Sequence, residues 1–441
     1  MLNKVLMILI SLLVLSCVEE PIGYIGLELK EETLEYKLEI LSPLNNEAIE
    51  GKTLIVGRIF GGVGNLNVYS LVNGSYNSST KVYNYDYDNL FYLTVNADSL
   101  LNIRNSFQLK IEVVDEDNRK LTKEISLNIS RKNFSTIPFD LTGVGADHFQ
   151  SGCFDANNRF WYNFQSAFLR IENNQLTSVP FPSFAKYFYN VVIDDTNQVW
   201  VLGYNNELST SLFKYDGNNW ENFKLISWNS SSKSVVIDKT GSFWFYEDHP
   251  GKIAEYENGI LRIYGETVLP ISEAEHFDGF HSMAIDENNN KWFGTSNALF
   301  KYDGTDWKVF DINIVEYYSQ ISISAIIADN NGGLWLGTNV GFIYFKEGEQ
   351  LIRVNHMVSS FNLVGMISDL SGNIWALSSE KGVVKLNTQT GLITQYSMEH
   401  IREYIHNYSI SRFLTINVDN SGSVWIVGLG PNFHHEFIKI Y

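Results

Sequence analysis

The chain predicts an all-β protein, a strand-rich N-terminal module followed by a propeller of seven four-stranded sheets. Three observations carry that expectation. First, one phrase recurs: an apolar strand ending in Asp, a three-residue turn, and Trp at the sixth position after the Asp. It appears as Asp155/Trp161, Asp194/Trp200, Asp238/Trp244, Asp286/Trp292, Asp329/Trp335, Asp369/Trp375 and Asp419/Trp425, numbered repeats 1 to 7 below. Second, successive Asp residues stand 39, 44, 48, 43, 40 and 50 positions apart, the period of a propeller blade and too long for leucine-rich or ankyrin repeats. Third, all ten Trp fall after residue 160, which sets the repeats apart from what precedes them.

The turn explains the Asp. The third residue after it is Asn158, Asn197, Gly241, Asn289, Gly332, Gly372 or Gly422, so only Gly or Asn occupies a position that needs positive φ. Asp at the start of such a turn accepts hydrogen bonds from later backbone amides, which makes all seven turn-formers. The seven Trp are expected to lie between adjacent sheets, where each buries a large aromatic surface. DENNNK from Asp286 spaces oxygens like the start of a calcium loop, but Lys291 replaces the required Gly and Asn297 the required Glu. Calcium is not expected there.

After each Trp comes a second strand, as in WFGT from Trp292 and WLGT from Trp335, then a third such as LFKYDG from Leu299, and a fourth such as WENF from Trp220 or WKVF from Trp307. Large apolar residues alternate with polar ones over five or six positions between Gly, Asn and Asp, which is the strand period. Repeat 7 supplies only three strands, at 412–418, 424–427 and 436–441. NFSTIPF, residues 133–139, has the alternation of an outer strand and is expected to complete that sheet and cover its edge.

These features resemble the two-component regulator propeller repeat, whose hallmark is Asp, a Gly-containing turn, Trp followed by Gly-Thr, and a strand ending near Tyr-Asp. DNNGGLWLGT from Asp329 and DENNNKWFGT from Asp286 match it, while Asp155 to Trp161 and Asp194 to Trp200 lack the Gly-Thr. The resemblance spans residues 133 to 441. It implies an extracytoplasmic recognition module, without the transmembrane helix and histidine kinase that follow such propellers in hybrid sensors.

Residues 38–130 read as short strands, among them LEIL from Leu38, TLIVGRIF from Thr53, LNVYSLV from Leu66, LFYLTV from Leu90, FQLKIEVV from Phe107 and LTKEISLNI from Leu121. Ser42-Pro43 followed by Asn45, Asn46 and Gly51 resembles the opening of bacterial immunoglobulin-like domains, without the Cys/Trp/Cys signature of antibody domains. That resemblance implies a β-sandwich over 37–131 serving as a spacer, with the propeller over 132–441.

At the N-terminus, Lys4 and the apolar run Val5 to Leu15 are too short to span a bilayer, which takes about 20 residues, and fit a signal-peptide core over 1–16. Val-Leu-Ser-Cys ending at Cys17 resembles a bacterial lipobox. Lipidation of Cys17 would anchor the chain in a membrane through more than one acyl chain, with residues 17–36 as a tether. Val18, Glu19 and Glu20 point to an outer-membrane lipoprotein, periplasmic or surface-exposed. The other cysteine, Cys153, then has no partner for a disulfide and reads as a small buried hydrophobe.

With 32 basic and 50 acidic residues the formal net charge is -18, which argues against nucleic acid or a bare anionic surface as a partner. No Gly-X-Ser-X-Gly elbow or phosphate loop is present. Ligands meet propellers at the channel mouth, where the loops leading into the innermost strands converge. Five residues before each repeat Asp stand Gln150, Tyr189, Lys233, His281, Ser324, Val364 and Leu414, with His148, Tyr187, Tyr318, Gln320 and Arg412 close by. This amphipathic, aromatic set suits a glycan or a protein ligand, with no cofactor or metal required. An enzyme is the alternative: the chain resembles the seven-bladed, metal-dependent streptogramin lyases, and His276, Asp278 and His281, or His434, His435 and Glu436, would imitate their acidic and histidine cluster, although neither has a recognised metal spacing.

Overall fold

The computed structural model describes residues 36–441 apart from 63, 83–89, 101–104, 131–133, 139–148, 165–166, 226–233, 247–250, 266–267, 274–276, 313–320, 330, 340, 350, 354–362, 407–408 and 432–434. Cys17, His148, Lys233, Tyr318, Gln320, His276 and His434 lie outside the described residues. No described helix is long and apolar enough to cross a membrane.

Strands make up most of the molecule, and each of the first six Asp/Trp repeats folds into a four-stranded antiparallel meander. Repeat 2 shows the plan: Ala185–Ile193, Val199–Asn205, Thr210–Tyr215 and Trp220–Lys224 pair in chain order. Consecutive innermost strands touch, and that of repeat 7, Arg412–Val418, meets that of repeat 1, Phe149–Phe154. The Gly of the Trp-X-Gly-Thr phrase makes this close approach feasible. A Cβ at Gly294 would lie 2.9 Å from Ile323 Cβ, and one at Gly337 would lie 2.7 Å from a Leu363 methyl, both on the next repeat's innermost strand.

All seven turn carboxylates do the same work. In each, Oδ1 accepts from the backbone N–H groups two and four residues on, as Asp286 does from Asn288 at 2.9 Å and Asn290 at 2.8 Å. The choice of Asn over Gly at the positive-φ position also acquires a reason. Asn197 Oδ1 accepts from Ala156 N–H of repeat 1, Asn289 Oδ1 from Lys239 N–H of repeat 3, and Asn158 Oδ1 from Asn420 N–H of repeat 7. Asn thus ties its turn to the preceding one, which Gly cannot do.

The Trp sits between its own sheet and the next. Trp161 packs with Val191 and Phe213 of repeat 2, Trp292 with Ile323, Ile326 and Phe345 of repeat 5, and Trp375 with Phe413, Ile416 and Ile426 of repeat 7. In six repeats the indole N–H donates to the turn Asp Oδ2, at 2.7 to 3.1 Å. A cation lies over the same ring: Arg170, Lys214, Lys301, Lys385 and Lys439 each stand directly opposite their Trp on the third strand, with the charge 5.0 to 5.5 Å from the ring centre. Repeat 3 has Glu255 opposite Trp244, and Lys291 reaches across from repeat 4 instead, 5.0 Å over the ring and 2.9 Å from Asp238.

Burial separates the seven Trp into two groups, which corrects the expectation that all are core residues. Trp161, Trp244 and Trp375 are among the largest fully buried side chains of the protein, and Trp200 and Trp292 are buried as well. Trp375 is closed by Tyr396 stacked at 6.2 Å and 10°, by Lys385 over its ring at 5.5 Å and by the Asp369 carboxylate at its N–H, 2.8 Å away. These five Trp are therefore packing residues and cannot belong to a ligand-contacting surface. Trp335 and Trp425 are only half-buried.

Phe134–Pro138 forms the fourth strand of the repeat 7 sheet, antiparallel to His435–Ile440, with Ile137 opposite Phe437 and Phe134 opposite Ile440. N-terminal to it, residues 37–129 make two sheets: Lys37–Ser42, Lys52–Phe60 and Leu90–Asn96 in one, and Ala48–Ile49, Lys120–Ile129, Ser106–Val114, Leu66–Val72 and Ser75–Val82 in the other. Their alternating apolar faces, including Ile55, Val68, Leu93, Leu109 and Ile111, share one core.

The N-terminal sheets are joined to the repeats. Lys52 and Thr53 pair with Gln395 and Thr394 on the outer strand of repeat 6, so the first N-terminal sheet continues into that repeat. Leu54 is buried among Phe342, Ile374 and Ile393, and Glu50 meets Lys385 at 2.9 Å with both largely shielded. A short helix after the repeat 6 sheet, Met398–Tyr404, N-capped by Ser397, completes the joint. His400 Nε2 lies 2.8 Å from Asp98, and Tyr404 OH donates to the same carboxylate at 3.1 Å.

Candidate functional site

Five of the seven residues that stand five positions before a repeat Asp occupy one structural position. Gln150, Tyr189, Ser324, Val364 and Leu414 are each the residue skipped in the pairing of an innermost strand with its second strand, between Phe149 and Ser151, Phe188 and Asn190, Ile323 and Ala325, Leu363 and Gly365, and Phe413 and Thr415. They are β-bulges. A bulge turns one side chain out of the sheet alternation and is enriched next to binding sites.

Repeat 2 has two such irregularities, the other between Ala185 and Tyr187. Tyr187 stands opposite Tyr204, and the Tyr189 ring meets Tyr204 edge-on at 5.3 Å. Lys186 covers the Tyr187 ring at 5.4 Å. Burial, with Tyr204 and Tyr187 adding to it, pushes the Tyr189 phenol pKa up, so the group is a neutral hydrogen-bond donor. Both Tyr187 and Tyr189 stay half-exposed.

Repeat 4 holds a polar chain. His281 precedes the strand Ser282–Ile285; its Nε2 lies 3.4 Å from Asp278, and its Nδ1 lies 3.1 Å from Ser322 Oγ of repeat 5. Asp278 accepts from Ser296 Oγ at 2.6 Å and Ser296 N–H at 3.2 Å. The backbone of His281 is fixed by Gly294 O and by Tyr246 OH. The arrangement orients an imidazole between a carboxylate and a hydroxyl.

Arg412 is exposed at the leading end of the last innermost strand. Gln150 lies in its strand as expected, and no described contact joins the Tyr187/Tyr189 pair to His281 or Arg412. Among the described residues, no three His, Cys, Asp or Glu side chains gather into a metal-sized cluster. His435 and Glu436 are both buried, and His435 packs edge-on against Phe164 at 5.0 Å. Cys153 is half-buried beside the Trp161 cluster rather than fully enclosed; burial and the Asp155 charge push its thiol pKa up, which keeps it unreactive.

Sequence reasoning missed a second concavity at the opposite, Asp-turn end. It measures about 730 Å³ and lies between repeats 5 and 6, lined by Trp335 and Tyr344 together with Asn331, Ser371, Thr388 and Gln389. Trp375, the repeat Trp of the neighbouring sheet, takes no part in it and stays in the core. The signal was present in the sequence as Tyr344, where other repeats place Lys or Arg opposite the Trp.

No family model and no curated protein sequence matches the chain. Solved structures do. Virginiamycin B lyase from Staphylococcus aureus is 15% identical, aligns over 70% of this chain and 99% of its own, and superposes with a TM-score of 0.54. These likenesses identify the fold as a β-propeller. The extracellular domain of the hybrid two-component system BT3049 from B. thetaiotaomicron is 17% identical over 74% of this chain and 43% of its own, with a TM-score of 0.53. YCF48 from Cyanidioschyzon merolae is 14% identical over 70% and 99%, with a TM-score of 0.52; a YCF48 structure bound to D1 peptide superposes at 0.50.

Proposed function

We propose that the chain is an extracytoplasmic, lipid-anchored binding module: an immunoglobulin-like sandwich over 37–131 carried on a seven-bladed propeller over 132–441, with Cys17 as the lipid attachment site. The observation that carries the binding role is the series of β-bulges at the leading ends of the innermost strands. Five repeats spend an irregularity at the same position, none of the residues there is acidic, and in repeat 2 the bulge presents the amphipathic Tyr189 with Tyr187 beside it. A glycan or protein partner at the channel mouth follows from that chemistry, since half-exposed Tyr supplies both apolar area and a hydroxyl. The likeness to BT3049's extracellular domain and to peptide-bound YCF48 supports the reading.

Two measurements test it. Cys17→Ser is expected to release the protein from membranes and remove the lipid mass; wild-type protein without lipid mass refutes the anchor. Partners recovered from intact cells with wild-type protein should be lost with Tyr189→Ala at an unchanged melting temperature. Equal recovery with the variant refutes the mouth site.

The Asp278–His281–Ser322 chain favours a second reading, an enzyme resembling the streptogramin lyases. Incubation with a streptogramin B antibiotic and Mg²⁺ discriminates: ring opening that His281→Ala abolishes would put the lyase reading first.

A further inference from the structure

We propose that the cleft between repeats 5 and 6 binds a neutral carbohydrate, at a site separate from the channel mouth. The repeat that opens this cleft is the one that departs from the Trp arrangement described above. Asp329 Oδ2 accepts from Tyr344 OH at 2.8 Å, and among the described residues the Trp335 indole N–H donates to nothing. Tyr344 stands opposite Trp335 where five other repeats place Lys or Arg. No described cation lies over the Trp335 ring, which instead meets Tyr344 at 4.9 Å and 53°. Trp425, the other half-buried repeat Trp, keeps both its Asp419 bond at 2.8 Å and its Lys439 cover at 5.0 Å. Among the described repeats, only Trp335 therefore has both a ring without a described cation over it and an N–H without a described acceptor, and it lines a cavity of about 730 Å³, within the range of about 300 to 1,000 Å³ usual for small-ligand sites.

The rest of the lining selects the ligand class. Among the described residues it contains no Lys, Arg or His, so phosphates, sulfates and carboxylates find no countercharge there. Its single carboxylate, Asp329, already accepts from Asn331 N–H at 2.7 Å, Gly333 N–H at 2.8 Å and Tyr344 OH, which disfavours a cation or metal. What remains is aromatic surface with the aliphatic side chains of Ile327, Ile352 and Ile374 beside it, bordered by neutral amides and hydroxyls. A pyranose has the matching anatomy: one face of C–H groups to lie on the electron-rich indole face, and a rim of hydroxyls for side-chain amides and hydroxyls.

A peptide fits less well because the bordering backbone is already used. The amides of Asn331 and Gly333 bond Asp329, those of Ser371 and Asn373 bond Asp369, and those of Gln389 and Thr390 bond Asn387. An extended peptide would need such main-chain groups for strand addition, whereas a sugar needs only side chains.

The test titrates the whole exported chain, followed by Trp fluorescence, with xylo-, manno-, cello- and maltohexaose, with oligogalacturonate as an anionic control and a neutral peptide library as a second. Tyr344→Lys is the decisive variant. It installs the pair seen at Trp425/Lys439, where Lys439 also reaches Asp419 at 2.9 Å, so it should cover Trp335 while keeping the melting temperature. Expected is binding of a neutral oligosaccharide by the wild type, weakened at least about tenfold by Tyr344→Lys and by Trp335→Phe and unaffected by Tyr189→Ala. Failure of every neutral sugar, sugar binding that Tyr344→Lys leaves intact, or binding of only oligogalacturonate or a peptide overturns the carbohydrate assignment. Sugar binding lost with Tyr189→Ala alone would overturn it too, while leaving the mouth proposal standing.

Discussion

Repeats 4 and 5 are neighbours with nearly the same signature, DENNNKWFGT and DNNGGLWLGT, yet they end differently. In repeat 4, Asp286 Oδ2 holds Trp292 Nε1 at 2.8 Å and Asn290 Nδ2 at 2.7 Å, Lys301 lies over the ring at 5.1 Å, and Trp292 is 3% exposed. In repeat 5 the carboxylate is taken by Tyr344 and Trp335 is half-open. The Oδ1 bonds of the turn are alike in both, but Asn290, which occupies Asp286 Oδ2 in repeat 4, is Gly333 in repeat 5. The repeats differ further in one third-strand residue, Lys301 against Tyr344, nine positions beyond the Trp and outside both signature and turn. A repeat signature therefore fixes where a Trp is placed, and the residues around it, the one facing it on the third strand among them, set whether that Trp belongs to the core or to a surface.

The largest effect that would break this comparison is on stability. Truncating a buried Trp costs about 3 to 5 kcal/mol, so Trp292→Ala and Trp375→Ala should each lower the denaturation midpoint strongly. Trp335→Ala, removing a ring already facing a cavity, should cost less than half as much. Equal losses in matched urea titrations would mean that Trp335 is as much a core residue as Trp292 and Trp375.

The next effect is acid lability, and it contrasts the repeats whose carboxylates hold a lysine. For Asp238, burial pushes the pKa up, but hydrogen bonds from Thr240, Lys291 and the turn amides outweigh it and hold it at about 2. Asp419 behaves alike, with burial outweighed by hydrogen bonds from Ser421, Lys439 and Trp425 to give about 2. Both folded values lie below the unfolded value of about 3.9, so the ionised carboxylates add stability that is fully present above that value and is lost as pH falls toward 2. Lys291→Met and Lys439→Met should each flatten the fall in melting temperature between about pH 4 and pH 2. An unchanged acid limb would show that the turn amides alone hold these carboxylates down.

Much of this architecture was legible because its chemistry is local. Asp with Gly or Asn three residues on states a turn, the Trp phase sets the four-strand period, and the apolar alternation of 133–139 coincides with the strand Phe134–Pro138 that pairs with His435–Ile440. Nonlocal features were harder to read. Ser75–Val82 was not foreseen as a strand because SYNSSTKV, on the edge of its sheet, has little apolar patterning. The joining of Lys52 and Thr53 to Thr394 and Gln395 is made by main-chain groups, which side chains do not advertise. The column five residues before each Asp was picked for its chemistry, and the property that five of its seven residues share, a bulge, appears only when two strands are laid side by side. Trp375 and Trp335 carry the same motif, and their opposite exposure depends on partners from other strands, Tyr396 with Lys385 in one case and Tyr344 in the other. Tyr344 was readable in principle, by aligning third strands against the Trp.

The smallest effect is also the sharpest, because it asks whether the facing residue acts alone. Lys301→Tyr gives repeat 4 the third-strand residue of repeat 5. A partly exposed cation–π contact is worth about 0.5 to 1 kcal/mol, and the Lys301 pair with Glu347 at 2.6 Å adds little at this exposure, so the expected cost is about 1 kcal/mol. Trp292 should nonetheless stay closed. Asp286 Oδ2 already serves both Asn290 and Trp292, whereas Asp329 has Gly333 at the position of Asn290, so a new tyrosine hydroxyl finds that carboxylate occupied. Phe310 and Phe345 also flank the Trp292 ring, at 5.8 and 5.7 Å, a cover that Trp335 lacks among the described residues. Acrylamide quenching should therefore detect no additional accessible Trp in Lys301→Tyr. A newly quenched Trp would mean that the third-strand residue by itself opens the site, and that Asn290 and the flanking rings contribute nothing to keeping repeat 4 shut.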